Sequence, residues 1–306
     1  MTAITREAEE IARRRYLEDT GRRRFARFVV DFVRRRPLGT AGATLIIVMV
    51  IAAVFAHVIA PYDPVATSFV DFLEPPGPEH LLGTDNFGRD IFSRIIYGAR
   101  TALLVGFVAS FVGCTAGYVL GVLGAYLGGK VDQAIQRVMD ILISFPLIVI
   151  AIAVVAALGT GEGLIGNVIA AITVPIIPRV SRVVRASALT VVSMPYVEAA
   201  RSVGSGAIRI MLRHIAPNAF APYLIMLTAF LGQAILLEAS LSFLGLGVFE
   251  PTPAWGLMLR GAGMQFLEQA PWLAIAPGVA ISMAVFGFNL FGDSLRDALD
   301  PRLRTA

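Results

Sequence analysis

The chain has 306 residues, of which 56% are hydrophobic and only 16% are charged. Soluble globular domains carry about 25% charged residues, so this composition excludes an ordinary soluble protein and indicates an integral membrane protein. The formal net charge of +4 belongs to the loops and does not indicate a nucleic-acid site.

The chain begins with a strongly basic segment, because residues 1–38 contain eleven arginines. We predict a basic cytoplasmic N-terminal tail over residues 1–37, which ends where the first apolar stretch begins. Phe25 and Phe28 lie among these arginines at helical spacing, a pattern suited to an anionic inner leaflet of membrane lipid. A topology signal alone explains the arginines equally well.

Six apolar stretches follow, each close to the roughly 20 residues that cross about 30 Å of hydrocarbon. They predict an all-α membrane protein with six transmembrane helices, at 38–60, 101–127, 138–158, 163–180, 218–241 and 272–291. The first stretch is too long for the apolar core of a signal peptide, so we expect a retained anchor. Pro175 and Pro178 are expected to interrupt the fourth.

Arginine placement orients these helices in the membrane. Residues 179–217 contain six arginines against the single acid Glu198, which places this segment and the N-terminal tail in the cytoplasm. Six spans then place an extracytoplasmic loop at 61–99 and a second one at 242–271. A C-terminal tail at 293–306 returns to the cytoplasm.

Small residues mark one face of the second predicted helix. Gly113, Gly117 and Gly121 recur every fourth residue and predict close contact with another helix. Packing within the chain is the default interpretation, and contact with a second subunit is the alternative. Cys114, the only cysteine, lies inside this helix, where a packing role is expected.

The loop 193–217 is too charged to span lipid. Pro195 suits the first turn of a helix, and Gly204 permits a sharp break that separates two short helices. Apolar residues at helical spacing predict one apolar face on each helix; they are Tyr196, Ala199, Ala200 and Val203 on the first helix and Ile208, Met211, Leu212 and Ile215 on the second. These faces would fit a groove on a soluble partner.

The same loop resembles the cytoplasmic coupling loop of bacterial ABC importer permeases. The resemblance lies in a Glu-Ala-Ala triplet, a glycine four residues later and a proline thirteen residues beyond the glycine, here Glu198, Ala199, Ala200, Gly204 and Pro217. Ala216 departs from the leucine that usually precedes the proline. The resemblance implies that these five residues couple the chain to a cytoplasmic ATPase.

Three further segments resemble the dipeptide and oligopeptide permease subfamily, namely residues 80–90, 238–247 and 289–301. The resemblance implies the second permease subunit, with one N-terminal helix at 38–60 before a five-helix type I importer core within 100–292. It also makes Asp85, Arg89 and Asp90 candidates for contact with a peptide-binding protein. Turn formation and helix capping before Ile91 explain these three residues nearly as well.

Glu238 is conspicuous because a carboxylate at membrane depth is costly unless it is paired or solvated. It is a candidate for the translocation pathway or for the outer gate. Hydrogen bonding to Ser240, Ser242 or a neighbouring loop is an equally good interpretation.

The resemblance implies a transport subunit of the bacterial inner membrane that is not itself an enzyme. A sister permease, two ATPase subunits and an extracytoplasmic peptide-binding protein would complete the importer, with ATP and magnesium on the ATPases and neither cofactor nor metal on this chain. Di- and oligopeptides are the expected substrates, with nickel, glutathione and antimicrobial peptides as alternatives. A stand-alone secondary transporter or channel, or a receptor or scaffold, would explain the hydrophobicity as well.

Overall fold

The computed structural model describes residue 33, residues 36–159, residue 161 and residues 165–299. Regular structure in this part of the chain is helical, without strands, and the only β-type pairing there is an isolated bridge between Thr84 and Asp90. Five helices among these residues are long and apolar enough to cross a membrane, or six if one bent pair counts as a span. The predicted all-α membrane fold is confirmed.

The helices are labelled in chain order. They are α1 Pro37–Val54, α2 Ala56–Ile59, α3 Ile91–Leu127, α4 Gly129–Ile143, α5 Leu147–Leu158, α6 Ile165–Val192, α7 Pro195–Ser202, α8 Ala207–Ile210, α9 Phe220–Phe243, α10 Trp255–Leu259, α11 Ala262–Gln265 and α12 Trp272–Leu299. A π-helical turn, Met211–Ile215, and a 3₁₀ turn, Pro217–Ala219, connect α8 to α9.

Two long helices extend past their predicted ends. α3 begins at Ile91, where Asp90 caps it by accepting a hydrogen bond from the Ser93 amide at 2.7 Å, so the predicted outer loop 61–99 is wrong in its last nine residues. α12 continues to Leu299, so the first residues of the predicted tail 293–306 are helical. The five-helix core therefore extends on both sides of the predicted range 100–292.

The third predicted span, 138–158, is wrong as a single straight helix. α4 and α5 meet at an angle of 97°, and Pro146 occupies the N-cap of α5, where its missing amide hydrogen removes no helical hydrogen bond. The 12 residues of α5 rise only about 18 Å at 1.5 Å per residue, less than the roughly 30 Å of hydrocarbon. The two helices therefore form a sharply bent pair and not one straight span.

The predicted interruption at Pro175 and Pro178 is also wrong. Both prolines lie inside the continuous helix α6 and are buried. Neighbouring helices in a membrane bundle can satisfy the backbone groups that a proline leaves free, so a proline need not end the helix. α6 therefore carries the chain in one piece from its first residue to the loop at 193.

The glycine stripe of α3 makes a close helix contact in the bundle interior. A Cβ added at Gly113 would lie 3.0 Å from the Thr173 carbonyl oxygen, and one at Gly117 would lie 2.7 Å from the Ile177 carbonyl oxygen. Gly121 faces the Ser181 carbonyl oxygen in the same way, at 2.7 Å. The stripe packs on α6 of the same chain, which confirms the default interpretation of packing within the chain.

The N-terminal helix packs against the C-terminal one. A Cβ at Gly42 would lie 2.7 Å from the Gly287 carbonyl oxygen, so the two backbones touch. Arg36 donates to the Ser294 carbonyl at 3.0 Å and lies 3.3 Å from an Asp297 carboxylate oxygen. The start of α1 therefore lies beside the end of α12. Most of the predicted tail 1–37, with Phe25 and Phe28, and residues 300–306 lie outside the described residues.

Candidate functional site

Two residues separate the first coupling helix, α7, from the end of α6. Pro195 occupies its first turn as predicted, and Glu198 follows in that same turn, where a negative charge is favourable beside the positive end of the helix dipole. Val197 is buried against the bundle, whereas Glu198 and Ala199 are exposed and Ala200 is half-buried. α7 therefore packs against the bundle through Val197 and exposes Glu198 and Ala199.

Gly204 ends α7 in the left-handed region, with φ at +78°. The Gly204 amide donates to the Arg201 carbonyl at 2.9 Å, and the Ser205 amide donates to the Ala200 carbonyl at 3.0 Å. A Cβ at this position would meet no atom within 4 Å. Glycine is therefore favoured here by its backbone freedom and not by lack of space.

The loop exposes an apolar surface that the described part of the chain does not cover. Val203 is 81% exposed, Ile208 70% and Leu212 68%, and Tyr196 is also exposed. We call these four residues the coupling surface. Large exposed apolar side chains outside lipid indicate a protein interface.

The second predicted helix is not an α-helix throughout. α8 passes into the π turn, in which the Ala216 amide donates to the Met211 carbonyl at 2.8 Å. Ile210 and Ile215, five residues apart, are buried, so the predicted grouping of Ile215 with Ile208 and Leu212 on one face is wrong. The π turn inserts one residue per turn and rotates the later side chains.

Two tyrosines of α3 contact the loop from the bundle. The Tyr118 hydroxyl donates to the Ala216 carbonyl at 2.6 Å, just before Pro217. The Arg201 guanidinium carbon lies 5.2 Å from the centre of the Tyr126 ring, within the range of a cation–π contact. Both halves of the loop are thus attached to the same membrane helix.

Ion pairs tie α4 to the part of α6 that leads into the loop. Arg185 Nε donates to Asp132 Oδ1 at 2.6 Å, and Arg182 pairs with Asp140. The first pair is largely shielded from solvent, whereas both side chains of the second are about half exposed. α6 is therefore linked by charge to α4 in the segment that precedes α7.

On the opposite face of the bundle lies a group of charged side chains, the outer cluster, formed by Asp85, Arg89, Arg94 and Glu250. Arg89 Nε donates to Asp85 Oδ2 at 2.7 Å, and Arg89 Nη1 donates to Glu250 Oε2 at 2.7 Å. Arg94 lies 3.4 Å from Glu250 and donates to the Pro64 carbonyl at 3.0 Å. Burial lowers the pKa of Arg89, but the hydrogen bonds and charges of Glu250 and Asp85 outweigh it and leave the pKa above its ordinary value.

The three residues expected to contact a binding protein, Asp85, Arg89 and Asp90, are all buried. Asp85 accepts from the amides of Phe87 and Arg89, and Asp90 caps α3 and pairs with His80 Nδ1 at 2.9 Å. Their observed contacts are those of a turn and a helix cap, the alternative interpretation of the sequence. Contact with a binding protein stays a prediction.

Sequence reasoning missed Arg94 and Glu250 as members of the outer cluster. Glu250 is 156 residues away from Arg94 in the chain, and no local spacing links the two. With Arg260 and Gln265, the cluster lines a cleft of about 310 Å³.

Glu238 is only 1% exposed. Its Oε1 accepts a hydrogen bond from the Ser242 hydroxyl at 2.7 Å, and Ser242 Oγ in turn accepts from the Val248 amide at 3.1 Å. The observed contact of Glu238 is the predicted hydrogen bond to Ser242, which in turn connects it to the following loop. A role in the pathway or gate is not tested by this geometry.

Groups of three or more His, Cys, Asp or Glu side chains that could hold a metal ion do not occur among the described residues. Cys114 is buried in the core, as expected for a packing role.

Comparison with known proteins gives consistent similarities. Residues 113–305 match the family described as the binding-protein-dependent transport system inner membrane component, and residues 30–76 match the N-terminal transmembrane domain of oligopeptide transport permease C. The chain is 40% identical over 273 residues to a dipeptide transport system permease protein of Alkalihalophilus pseudofirmus, covering 89% of this chain and 88% of that one.

It is 42% identical over 274 residues to a glutathione transport system permease protein of Escherichia coli, covering 89% of this chain and 88% of the relative. Among solved structures, inward-facing conformations of the MetNI methionine ABC transporter match with a TM-score of 0.54 and 20% identity, over 68% of this chain and 96% of the other. At that identity the match concerns the fold.

Proposed function

The chain belongs to the family of binding-protein-dependent transport system inner membrane components, and on that premise we propose that it imports di- and oligopeptides as one half of a permease pair. It is a multi-pass membrane subunit of an ABC importer and works in transport. The observation that carries the proposal is the coupling surface, which lies beyond the end of α6 and is left exposed by residues 33, 36–159, 161 and 165–299.

Two cytoplasmic ATPases would each take one permease loop into a groove. In this chain the groove would receive Tyr196, Val203, Ile208 and Leu212, with Glu198 exposed at the edge of the contact. ATP and magnesium would be held by the ATPases, and this chain would hold no cofactor. Closure of the ATPases would move α7, and the ion pairs of α6 and α4 would carry the displacement into the bundle.

Two observations support the proposed orientation, namely the arginines of the coupling loop and the contact between α1 and α12. The six arginines of 179–217 support a cytoplasmic coupling loop in a bacterial inner membrane, because positively charged loops are favoured on that side. The Arg36–Asp297 pair places the start of α1 and the end of α12 on one side of the bundle. Both termini would then be cytoplasmic, and the outer cluster would face the binding protein.

Peptide is the substrate class that the relatives favour, since those described above are named for dipeptide and glutathione transport. A sister permease would supply the other half of the pathway. A stand-alone transporter has no ATPase to bind, so it would not explain the exposed apolar residues of the coupling surface.

The test is copurification of the tagged chain in mild detergent, with mass spectrometry of the associated proteins and peptide-stimulated ATP hydrolysis. We expect two ATPases and a sister permease. A chain that purifies alone, without nucleotidase activity, would overturn the importer assignment.

Two variants locate the coupling within the loop. Glu198→Lys reverses a charge on an exposed side chain and Gly204→Pro forbids the observed positive φ, so both should abolish uptake while the chain remains in the membrane. Glu268→Lys, the same charge change at an exposed residue of the opposite face, is the matched control and should transport normally. Normal uptake by both loop variants would refute the coupling role.

A further inference from the structure

The segment 238–247 closes α9 and begins the loop that follows. Ser242 Oγ joins the Glu238 carboxylate at 2.7 Å to the Val248 amide at 3.1 Å. A Cβ at Gly247 would lie 2.5 Å from the Ser242 amide nitrogen, so this loop folds tightly back on the helix end. The buried Glu238 thus fixes the path of the backbone that leads to Gly245.

Gly245 supports an arginine from a different element. Its φ is +80°, and a Cβ at this position would overlap the Arg260 guanidinium group. Arg260 follows α10 directly and is exposed at the cleft beside the outer cluster. The guanidinium therefore packs against the backbone of Gly245. Because this contact already restricts the arginine side chain, the side chain loses less conformational entropy when a ligand binds.

The arginines around the cleft differ in whether they have an acidic partner. Asp85 and Glu250 engage Arg89 and Arg94 in the outer cluster, whereas Arg260 has no ion-pair partner within the described part of the chain. Asn86 and Gln265, whose side chains carry amide donors, also line this cleft of about 310 Å³. A planar guanidinium with nearby amides matches the two oxygens of a carboxylate.

We propose that this cleft receives an acidic side chain of the extracytoplasmic binding protein, with Arg260 as its principal contact. The inference rests on the proposed function, which places the cleft outside the membrane and supplies the partner. The bidentate pairing of Arg89 with Glu250, at 2.7 and 3.3 Å, already uses the same chemistry in the cleft. Charge complementarity at such a site governs both the rate and the register of docking.

The experiment measures the affinity of the purified binding protein for the assembled importer in nanodiscs. Arg260→Gln should weaken the affinity about tenfold, which corresponds to about 1.4 kcal/mol, and Arg260→Lys should weaken it less, because the charge remains. Gly245→Ala should also weaken it, because it displaces the guanidinium without removing its charge. Arg296→Gln, at an exposed position near the end of α12, is the control and should bind as the wild type does.

Each contrary result has a distinct meaning. Unchanged affinity of Arg260→Gln would overturn the cleft assignment alone, whereas a wild-type importer that binds no binding protein would overturn the proposed function with it. A raised KM for peptide at unchanged affinity for the binding protein would assign the cleft to the peptide carboxylate and overturn the proposal. If Arg260→Gln weakened the affinity only in nanodiscs that contain anionic lipid, the proposal would be overturned, and Arg260 would be assigned to a lipid phosphate. Elution of each variant as the intact complex excludes a folding defect.

Discussion

Gly117→Ala tests whether the contact between α3 and α6 holds the bundle together. The new Cβ would lie 2.7 Å from the Ile177 carbonyl oxygen and 2.8 Å from the Val180 Cβ. These are a backbone atom and the root of a side chain, so neither can rotate away and the helices must separate. Overpacking of this kind costs about 1–3 kcal/mol.

Gly278→Ala is the matched control, because its Cβ would meet no atom within 4 Å. Replacing glycine by alanine inside a helix stabilises it by about 1 kcal/mol at either position. That gain cancels in the comparison, so Gly117→Ala should be less stable than Gly278→Ala by the full overpacking cost, about 1–3 kcal/mol.

The assay heats each detergent-solubilised variant and measures the fraction that still elutes as a monodisperse species. We expect the midpoint of Gly117→Ala to fall several degrees below that of Gly278→Ala. Equal midpoints would refute the close packing of α3 on α6.

The remaining predictions concern single contacts. Asp132→Ala and Arg185→Ala should show a coupling free energy of about 1 kcal/mol in a double-mutant cycle on thermal stability, and strictly additive effects would refute the ion pair. In a His80→Ala background, which removes the His80–Asp90 pair, Asp90→Ala should destabilise the chain by about 1 kcal/mol through loss of the α3 cap, while Asp90→Asn should retain most of the stability; equal losses there would contradict the cap. Thr101→Val should cost about 1–3 kcal/mol in the same assay, because it leaves the buried Pro253 carbonyl without its 2.8 Å donor; an unchanged midpoint would count against that bond.

Local sequence patterns predicted those features that depend on neighbouring residues. The apolar stretches located the spans, Pro195 and Gly204 marked the ends of α7, and glycines at every fourth position indicated a close helix contact. Each pattern acts within one or two helical turns, so a single sequence suffices to read it.

The features that failed depend on distant parts of the chain. Pro178 lies inside the continuous helix α6, and the contact of that helix with α3 involves residues that are distant in the sequence. Glu250 joins Arg94 across 156 residues. The π turn at Met211–Ile215 buries Ile215 by a shift of one residue, which a pattern at 3.6-residue spacing cannot anticipate.

Cross-linking from the coupling surface tests the central claim most directly. Cys114, the chain's one cysteine, is buried, so Ile208→Cys introduces one accessible thiol on the coupling surface. Val70→Cys, at a 94% exposed position in the loop between α2 and α3, is the control. A membrane-permeant maleimide–diazirine reagent attaches to the introduced thiol and, on irradiation, inserts into whatever chain lies beside it. It should join Ile208→Cys, and not Val70→Cys, to a cytoplasmic ATPase, with a yield that changes when ATP is bound. Absence of an ATPase product from Ile208→Cys in the intact importer would contradict the account.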